Sequence, residues 1–305
     1  MTAVTRRTVV TGALGLAAVA MLPRAYAKFG TTPLTSGFTL LTGVGGNVLV
    51  AATPDGAVLV DSGAGELAAQ TLLPTVQELT GNAKVHTLFN THWHLEQIGG
   101  NETVGRAGAN IVAHEKTRLR LATPFYVPES GEYRQPLAVP AQPKESFYTT
   151  GSTTIGGKHI EYGYLIEAHT DGDAYIYFRD ANVIAVGDAI APERDIELDW
   201  YGGGWLGGRV DSLKQLLSLT NGETKFVPAY GAPVGRAVVQ AEHDMCDMLF
   251  ERFFERIRKG ETNEDMLAAG IMEGTGRTWK DPAKFVYDAH KGIWGHNNTL
   301  SHDIV

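Results

Sequence analysis

The sequence contains little cysteine: Cys246 is the one cysteine among 305 residues. A single thiol excludes a disulfide within the chain. The residues around it, from Met245 to Leu249, are typical of a helix that packs against a core. In such a position a thiol behaves as a small hydrophobic group, so we predict a buried structural cysteine and not a nucleophile.

An excess of positive charge is also lacking, because 26 basic residues face 34 acidic residues and the formal net charge is −8. A surface of that sign repels phosphate backbones, which argues against nucleic acid as a partner. The apolar run over residues 9–22 is shorter than the roughly 20 residues that span a bilayer. We therefore expect no nucleic-acid partner and no stable membrane anchor. The oligomeric state is left open.

The first residues have the pattern of an export signal. The pair Arg6 and Arg7 precedes the apolar run, and a small-residue A-x-A cleavage site ends at Ala27. We predict that residues 1–27 form a twin-arginine signal peptide that is cleaved after Ala27. The mature protein would then be periplasmic or secreted.

The remaining chain has the composition of an ordinary globular protein, with 43% hydrophobic and 20% charged residues. Short apolar segments over residues 38–114 and 152–186 are typical of β-strands, and helical patterns lie between and after them. The length suits one large α/β domain or two small ones. The proline-rich segment 124–143 fits a loop that covers a substrate and a plain surface insertion equally well.

The stretch over residues 90–101 reads N-T-H-W-H-L-E-Q-I-G-G-N and follows a predicted buried strand. In an extended backbone, His92 and His94 point to the same side, because side chains alternate with a period of two. Two imidazoles so placed could bind one borderline-soft cation such as zinc, at about 2.0–2.1 Å. The short His-x-His pattern by itself fits ordinary loop histidines equally well.

Later turns also contain side chains that bind metals or transfer protons. His169 lies in one turn, Asp188 follows a short apolar strand, and Tyr230 follows the last strand. A glycine-rich loop places aromatic residues where they more readily line a substrate pocket than a core. The aromatic residues of this loop are Trp200, Tyr201 and Trp205.

In order and spacing, these motifs resemble those of the metallo-β-lactamase superfamily, in the broad sense of the metallohydrolase fold and not of its antibiotic-degrading branch. The matching features span about residues 35–235. The resemblance implies an α/β fold built as a four-layer αββα sandwich. Residues 28–235 would form the metallo-β-lactamase-like domain, and residues 236–305 a C-terminal helical extension of the same domain.

The resemblance also implies where a metal would bind. His92, His94 and His169 would form the family's first metal site, and Asp188 would lie at its edge. In relatives with two metals, an aspartate in this position often bridges both ions. Three imidazoles and one carboxylate make a good four-coordinate zinc site, and three imidazoles leave a position open for water.

The ligands special to the second metal have all changed. Glu96 and Gln97 replace the aspartate and the last histidine of H-x-H-x-D-H, and Tyr230 replaces a histidine. Glutamine offers a neutral carbonyl oxygen, and tyrosine is a poor zinc ligand at neutral pH. We therefore expect one metal per chain, zinc before other divalent ions. Purely structural roles, with Glu96 and Gln97 bonded to the loop and Tyr230 in the core, fit these residues equally well.

The resemblance implies an exported metal-dependent hydrolase that acts on a small ester, lactone, amide or similar bond. Zinc could lower the pKa of bound water from about 16 to about 7. Glu96 is the candidate general base, Asp188 the candidate to bind zinc or orient water, and Tyr230 the candidate donor to an oxyanion. Two alternatives stay open: a catalytically inactive binding protein with this fold, and an iron-containing redox protein.

Overall fold

A computed structural model describes the backbone of residues 29–43, 45–82, 84–127 and 130–302, and side chains up to residue 296. The predicted signal peptide lies outside the described residues. Within the described part of the chain, no helix combines the length and the apolar character needed to cross a membrane.

The described residues form fourteen strands and eight α-helices. The strands are β1 (Gly30–Thr35), β2 (Phe38–Thr42), β3 (Val48–Ala51), β4 (Ala57–Val60), β5 (Val85–Phe89), β6 (Asn110–His114), β7 (Phe125–Val127), β8 (Glu132–Arg134), β9 (Glu145–Phe147), β10 (Thr150–Ile155), β11 (Lys158–Tyr164), β12 (Ala174–Phe178), β13 (Val183–Gly187) and β14 (Lys225–Pro228). The helices are α1 (Gly65–Thr80), α2 (Leu95–Ile98), α3 (Asn101–Arg106), α4 (Glu115–Ala122), α5 (Leu206–Leu219), α6 (Arg236–Arg258), α7 (Asn263–Ala268) and α8 (Pro282–His302).

Twelve of these strands form two sheets. The first sheet has the order β1-β2-β3-β4-β5-β6-β9, antiparallel from β1 to β4 and parallel from β4 to β9. The second has the order β10-β11-β12-β13-β14 and is antiparallel except between β13 and β14. Turns or loops join the antiparallel neighbours, whereas helix α1 joins β4 to β5 and helix α5 lies in the connection from β13 to β14. Parallel strands require such a crossover connection.

The two sheets pack face to face, and helices cover both outer faces. Apolar side chains of both sheets, such as Leu40 and Ile176, share the central cluster. Leu72 of α1 packs on the outer face of the first sheet, and Leu213 of α5 and Leu249 of α6 pack on the outer face of the second. This is the four-layer αββα sandwich that the resemblance implies.

The C-terminal helices are part of this layering. Phe253 of α6, Met266 of α7 and Phe285 of α8 are buried in the same cluster as the outer face of the second sheet. The helical region that the sequence predicts from residue 236 therefore begins at the first residue of α6 and completes the outer layer.

The proline-rich segment 124–143 has more structure than its sequence indicates. Strands β7 and β8 form a two-stranded ribbon, and residues 139–141 form a short 3₁₀ turn. The ribbon is held by Phe125, whose ring lies 5.0 Å from that of Trp93. Strands of three residues are too short to show a periodicity in the sequence. Trp93 is 3% exposed, as expected of a core residue.

Candidate metal centre

Loops at one edge of the sandwich bring the three predicted histidines together. His92 and His94 follow β5, and His169 lies between β11 and β12. One ligand atom from each histidine lies within 4.8 Å of the others. His92 and His169 are buried, whereas the side chain of His94 is 23% exposed. The cluster is therefore open to solvent on the side of His94.

The outer nitrogens of two rings donate hydrogen bonds to oxygen atoms. His94 Nε2 lies 2.9 Å from Asp199 Oδ2, and His169 Nδ1 lies 2.9 Å from the main-chain oxygen of Glu197. Carboxylate and carbonyl oxygens accept hydrogen bonds, so the histidine nitrogens are the donors. Each contact orients its ring and leaves the inner nitrogen, Nδ1 of His94 and Nε2 of His169, with a lone pair.

The third ring is oriented by a relay from Asp61. Thr91 Oγ1 donates to Asp61 Oδ2 over 2.7 Å, and His92 Nδ1 lies 3.1 Å from the same hydroxyl. Because the hydroxyl proton is directed at Asp61, Thr91 Oγ1 accepts from His92 Nδ1. Asp61 ends strand β4 with a φ of 60°, a left-handed conformation that aspartate tolerates better than most residues. The relay leaves the lone pair of His92 on Nε2.

The three inner nitrogens point at one another. His94 Nδ1 and His169 Nε2 are 3.1 Å apart, and His92 Nε2 is buried without a hydrogen-bond partner among the described residues. Three lone pairs in this arrangement repel one another unless a proton or a cation lies between them. The donor set and the unpartnered nitrogen of His92 therefore fit a metal ion bound by three imidazoles.

Burial and local charge set the protonation of the cluster. Burial first, and then the charge of His94, hold the pKa of His92 and of His169 well below the ordinary value, which keeps both rings neutral. Burial also lowers the pKa of His94, but the hydrogen bond and charge of Asp199 outweigh it, and the pKa is raised. Neutral imidazole is the form that binds metals, so His94 is the ring at which protons compete most strongly.

Asp188 lies beside the histidines, and its carboxylate is already engaged. Arg194 Nη2 is 2.5 Å from Asp188 Oδ1, and Gln97 Nε2 is 3.4 Å from Asp188 Oδ2. The latter oxygen is 3.6 Å from His92 Nε2. One oxygen of Asp188 therefore faces the histidine cluster while the other binds a guanidinium. That Asp188 contacts a metal stays a prediction.

Arg194 also contacts Tyr230. Its guanidinium carbon lies 3.9 Å from the centre of the Tyr230 ring, and Gln97 Nε2 lies 3.5 Å from Tyr230 Oη. We call Arg194, Asp188, Gln97 and Tyr230 the arginine cluster. Burial, together with the charge of Asp188, raises the pKa of Tyr230. The phenol therefore stays protonated at neutral pH and remains a hydrogen-bond donor.

A cavity of about 430 Å³ opens beside the histidines. Glu96 lines it from α2 and is exposed, and in the described part of the chain its carboxylate has no hydrogen bond or ion pair. Its role as a general base stays a prediction. Trp200 and Tyr201 line the same cavity, and their contact with a substrate stays a prediction.

The third predicted pocket residue, Trp205, lies elsewhere. It lines a separate cavity and stacks on His296, with ring centres 3.8 Å apart. The chain changes direction at Gly203, which has a φ of 90°, and Gly204 packs so closely on His169 that a Cβ there would lie 1.9 Å from the His169 carbonyl oxygen. This turn lies between Tyr201 and Trp205, whereas Trp200 lines both cavities.

Sequence reasoning missed three polar residues of this region. They are Asp199, which orients His94, Arg194, which binds Asp188, and Arg134, which lines the cavity from β8. The only sequence signal for Asp199 was its position directly before the aromatic loop, next to Trp200. Arg134 stands in the proline-rich segment, where no spacing relates it to the histidines.

Comparison with known proteins agrees with this architecture. A family model described as the metallo-beta-lactamase superfamily matches residues 41–227. A metallo-beta-lactamase from Pontibacter korlensis has a similar structure, with a TM-score of 0.58 and 21% sequence identity, covering 72% of this chain and 99% of that chain. The DIM-1 metallo-beta-lactamase is also similar, with a TM-score of 0.58 and 16% identity, covering 72% of this chain and 98% of that chain.

A third similar structure is a double mutant of the sec-alkyl sulfatase PisA1. Its TM-score is 0.65 at 13% identity, and the match covers 88% of this chain and 50% of that chain. No curated protein matches the sequence. At these identities the solved structures establish the fold, and the family model, which matches more than half of the chain and includes all three histidines, establishes the relationship. The chain belongs to the metallo-β-lactamase superfamily, whose members are generally hydrolases.

Proposed function

We propose that this protein is an exported hydrolase that uses a single zinc ion bound by His92, His94 and His169. Its substrate is a small molecule with an ester, lactone, amide or similar bond. The observation that carries the proposal is the convergence of three imidazole nitrogens at the wall of an open cavity, each ring oriented by a hydrogen bond on its outer side. Metal-binding histidines are usually oriented in this way. Export rests on the N-terminal sequence pattern.

The arginine cluster supports one metal rather than two. Gln97 directs its amide nitrogen at Asp188 and Tyr230 over 3.4 and 3.5 Å, and its buried amide oxygen has no hydrogen-bond partner among the described residues, so the chain offers a neutral amide at this position. Arg194 already supplies a positive charge to Asp188. A second cation at this carboxylate would be repelled by the guanidinium, which is 27% exposed and therefore only partly screened by water.

When bound by the three histidines, a zinc ion would supply Lewis acidity and would lower the pKa of a water molecule to about 7. The chain's own residues supply the other functions. Glu96, exposed at the cavity wall, is positioned to accept a proton from a water molecule in the cavity. Tyr230 is held as a neutral phenol and can donate a hydrogen bond to an oxygen that gains negative charge.

Arg194 would assist Tyr230 in this role. A guanidinium over the ring of a phenol makes the hydroxyl proton a better hydrogen-bond donor, because positive charge stabilises electron density that moves toward the ring. The arginine cluster would thus provide the charge stabilisation that a second metal provides in two-metal relatives.

Metal analysis tests the binding site. The mature protein is purified without chelators, and its metals are measured by mass spectrometry next to His169→Ala and His159→Ala variants. His159 is a partly exposed histidine of β11 with a glutamate neighbour, outside the cluster. We expect one zinc per chain in the wild type and in His159→Ala, and none in His169→Ala. Stoichiometric zinc in His169→Ala would sink the assignment of the site.

Hydrolysis is then measured with esters, lactones and amides, and with a β-lactam and an alkyl sulfate because similar structures carry those names. We expect turnover that is lost with a chelator and restored by zinc. A protein that binds zinc and hydrolyses no compound of the panel would favour the binding-protein alternative. Iron in place of zinc, with redox activity, would favour the redox alternative.

A further inference from the structure

Arg134 is a cation at the cavity that the proposed mechanism does not use. It stands at the end of β8 and is half-buried. Its guanidinium carbon lies 4.9 Å from the ring centre of Trp93 and 5.7 Å from that of Phe125. Two aromatic faces fix the direction of a guanidinium, because the planar group stacks on them and loses freedom to turn. Arg134 and Phe125 both line the cavity that His94 and His169 line.

The other cations near this cavity are already neutralised. Arg194 pairs with Asp188, and Lys284 pairs with Asp288 over 2.5 Å. Arg120, which stacks on the same Trp93 and Phe125 rings, pairs with Asp171 over 2.6 Å.

Arg134 differs from all three. Among the described residues it forms no ion pair, and its hydrogen bond is to the main-chain oxygen of Arg120 over 3.3 Å. Burial first, and then the charge of Arg120, lower the pKa of Arg134. A guanidinium remains charged even so. The environment of Arg134 therefore contains positive charge that no carboxylate within ion-pair distance offsets.

Five carboxylates line the cavity, and two of them, Asp199 and Glu96, partly offset the charge of Arg134 from a distance. Asp199 is committed, since it accepts hydrogen bonds from His94 Nε2 and from the main-chain nitrogen of Gly202. Glu96 is exposed and lies beyond ion-pair distance of Arg134. A partly buried, oriented and unpaired guanidinium is costly to maintain, and its N–H groups match an oxygen anion with two parallel hydrogen bonds.

Apolar and aromatic side chains form part of the wall of the cavity that Arg134 lines. Phe125 and Val127 come from the same ribbon, and Trp200 and Tyr201 come from the aromatic loop. A ligand that reaches Arg134 would place its hydrophobic part against these side chains. The cavity volume of about 430 Å³ suits a small molecule.

We propose that Arg134 binds an anionic oxygen group, such as a carboxylate, on a substrate whose apolar part lies between this arginine and the histidines. The inference rests on the proposed function, because it names the class of substrate that the hydrolase accepts. Arg134 would act in binding and would leave the chemical step to the histidine side of the cavity.

Calorimetric titration tests this directly, with 3-phenylpropionate as the anionic probe and 3-phenylpropan-1-ol as its neutral counterpart. The proteins are the zinc-loaded wild type, Arg134→Gln, Arg134→Lys and the matched control Arg106→Gln. Arg106 is 63% exposed on α3 and loses the same charge outside the cavity. Each titration is repeated after zinc removal, because zinc can itself bind a carboxylate. Circular dichroism and a thermal melt check that each variant is folded.

We expect the wild type and Arg106→Gln to bind the carboxylate more tightly than the alcohol, with and without zinc. Arg134→Gln should lose about tenfold to a hundredfold in affinity for the carboxylate, as for a charge-assisted hydrogen bond, and none for the alcohol. Arg134→Lys should lose less. Equal affinities of Arg134→Gln and Arg106→Gln for the carboxylate would overturn the inference. A wild-type preference for the anion that is lost when zinc is removed would also overturn it.

The two proposals fail separately in this design. Binding that depends on Arg134, without hydrolysis of any anionic ester, would retain the anion site and refute the hydrolase. Hydrolysis with the same KM in Arg134→Gln and in the wild type, for anionic and neutral esters alike, would retain the hydrolase and refute the anion site.

Discussion

Arg194 and Asp188 form an ion pair beside the three histidines, with 2.5 Å between Arg194 Nη2 and Asp188 Oδ1. The aspartate that often joins two metals in relatives is therefore bound to a guanidinium in this protein. Gln97 and Tyr230, which replace two histidines of the second site, contact the same pair. The replacement of two imidazoles by Gln97 and Tyr230 and the positive charge of Arg194 both disfavour the binding of a second metal ion.

This relationship predicts the metal content of variants. The triple change Gln97→His, Tyr230→His and Arg194→Ala restores two imidazoles and removes the cation, so we expect two zinc ions per chain. The single variant Arg194→Ala should still bind one zinc ion, because the neutral amide of Gln97 and the phenol of Tyr230 remain poor ligands. Mass spectrometry of metals in both proteins measures this. Two metals in the wild type would show that the division between the two sites is wrong.

Asp199 should control metal affinity without touching the metal. Its Oδ1 accepts from the main-chain nitrogen of Gly202 and its Oδ2 accepts from His94. Asp199→Asn can keep the first bond but loses the acceptor that orients His94. We expect zinc affinity to fall about tenfold to a hundredfold, as for other outer partners of metal-binding histidines. Competition with a chromophoric chelator measures it, and Asp211→Asn, an exposed change on α5, should have no effect.

Two histidines should make the metal-free protein sensitive to acid. Burial and positive neighbours hold the pKa of His92 and His169 well below 6.5 in the fold. The unfolded chain binds protons at these residues below pH 6.5, and the folded chain does not. The contribution of the two neutral histidines to the free energy of unfolding is therefore fully present above pH 6.5. Below that pH, the free energy of unfolding falls by about 1.4 kcal/mol per histidine for each pH unit.

Asp61 and Asp173 have the opposite effect on how stability changes with pH, because burial raises the pKa of each to about 7. A comparison with the double variant His92→Gln and His169→Gln isolates the histidines. Urea unfolding in EDTA, from about pH 7 to about pH 5, should show that the wild type loses stability relative to the variant on acidification. Parallel stability curves for the two proteins would contradict the prediction.

The fully buried ion pair between Arg209 and Glu242 should be essential for stability. Arg209 Nη2 is 2.6 Å from Glu242 Oε1, and Nη1 donates to the main-chain oxygen of Asp188 over 2.9 Å. Glu242→Gln would leave the guanidinium without a counter-charge, and we expect a loss of about 3–5 kcal/mol in the free energy of unfolding. Urea denaturation measures it. Glu251→Gln, an exposed change on the same helix, should hardly alter the free energy of unfolding. Equal losses in Glu242→Gln and Glu251→Gln would contradict the prediction.

Cys246 should be unreactive in the folded protein. Its thiol is fully buried in α6, and burial raises its pKa to about 12. Only the thiolate is a nucleophile, so a disulfide reagent at pH 8 should label the protein after unfolding and not before. Absorbance of the released thiolate measures this, with Cys246→Ala as the blank. Stoichiometric labelling of the native protein within minutes would be the opposite result.

The sequence by itself determined the strands, the helices and the pair of histidines at His92 and His94, and the resemblance to a known family added the four layers. Strands and helices have periodicities that local residues impose, and a spacing of i and i+2 favours two imidazoles on the same side of an extended segment. The resemblance then located His169, and the structure confirms that it joins His92 and His94. The changes at Glu96, Gln97 and Tyr230 were visible in the sequence, although what contacts them was not.

Only the tertiary structure decided the partners of these residues. His94 and Asp199 are 105 positions apart in the chain, and Arg134 reaches the cavity from a ribbon with three-residue strands. No local pattern encodes such pairs, because long-range contacts depend on how the two sheets pack and on where each loop turns. Trp205 shows the same limit. Trp205 comes four positions after Tyr201, which lines the cavity beside the histidines, and the left-handed backbone at Gly203 between them directs Trp205 to a second cavity.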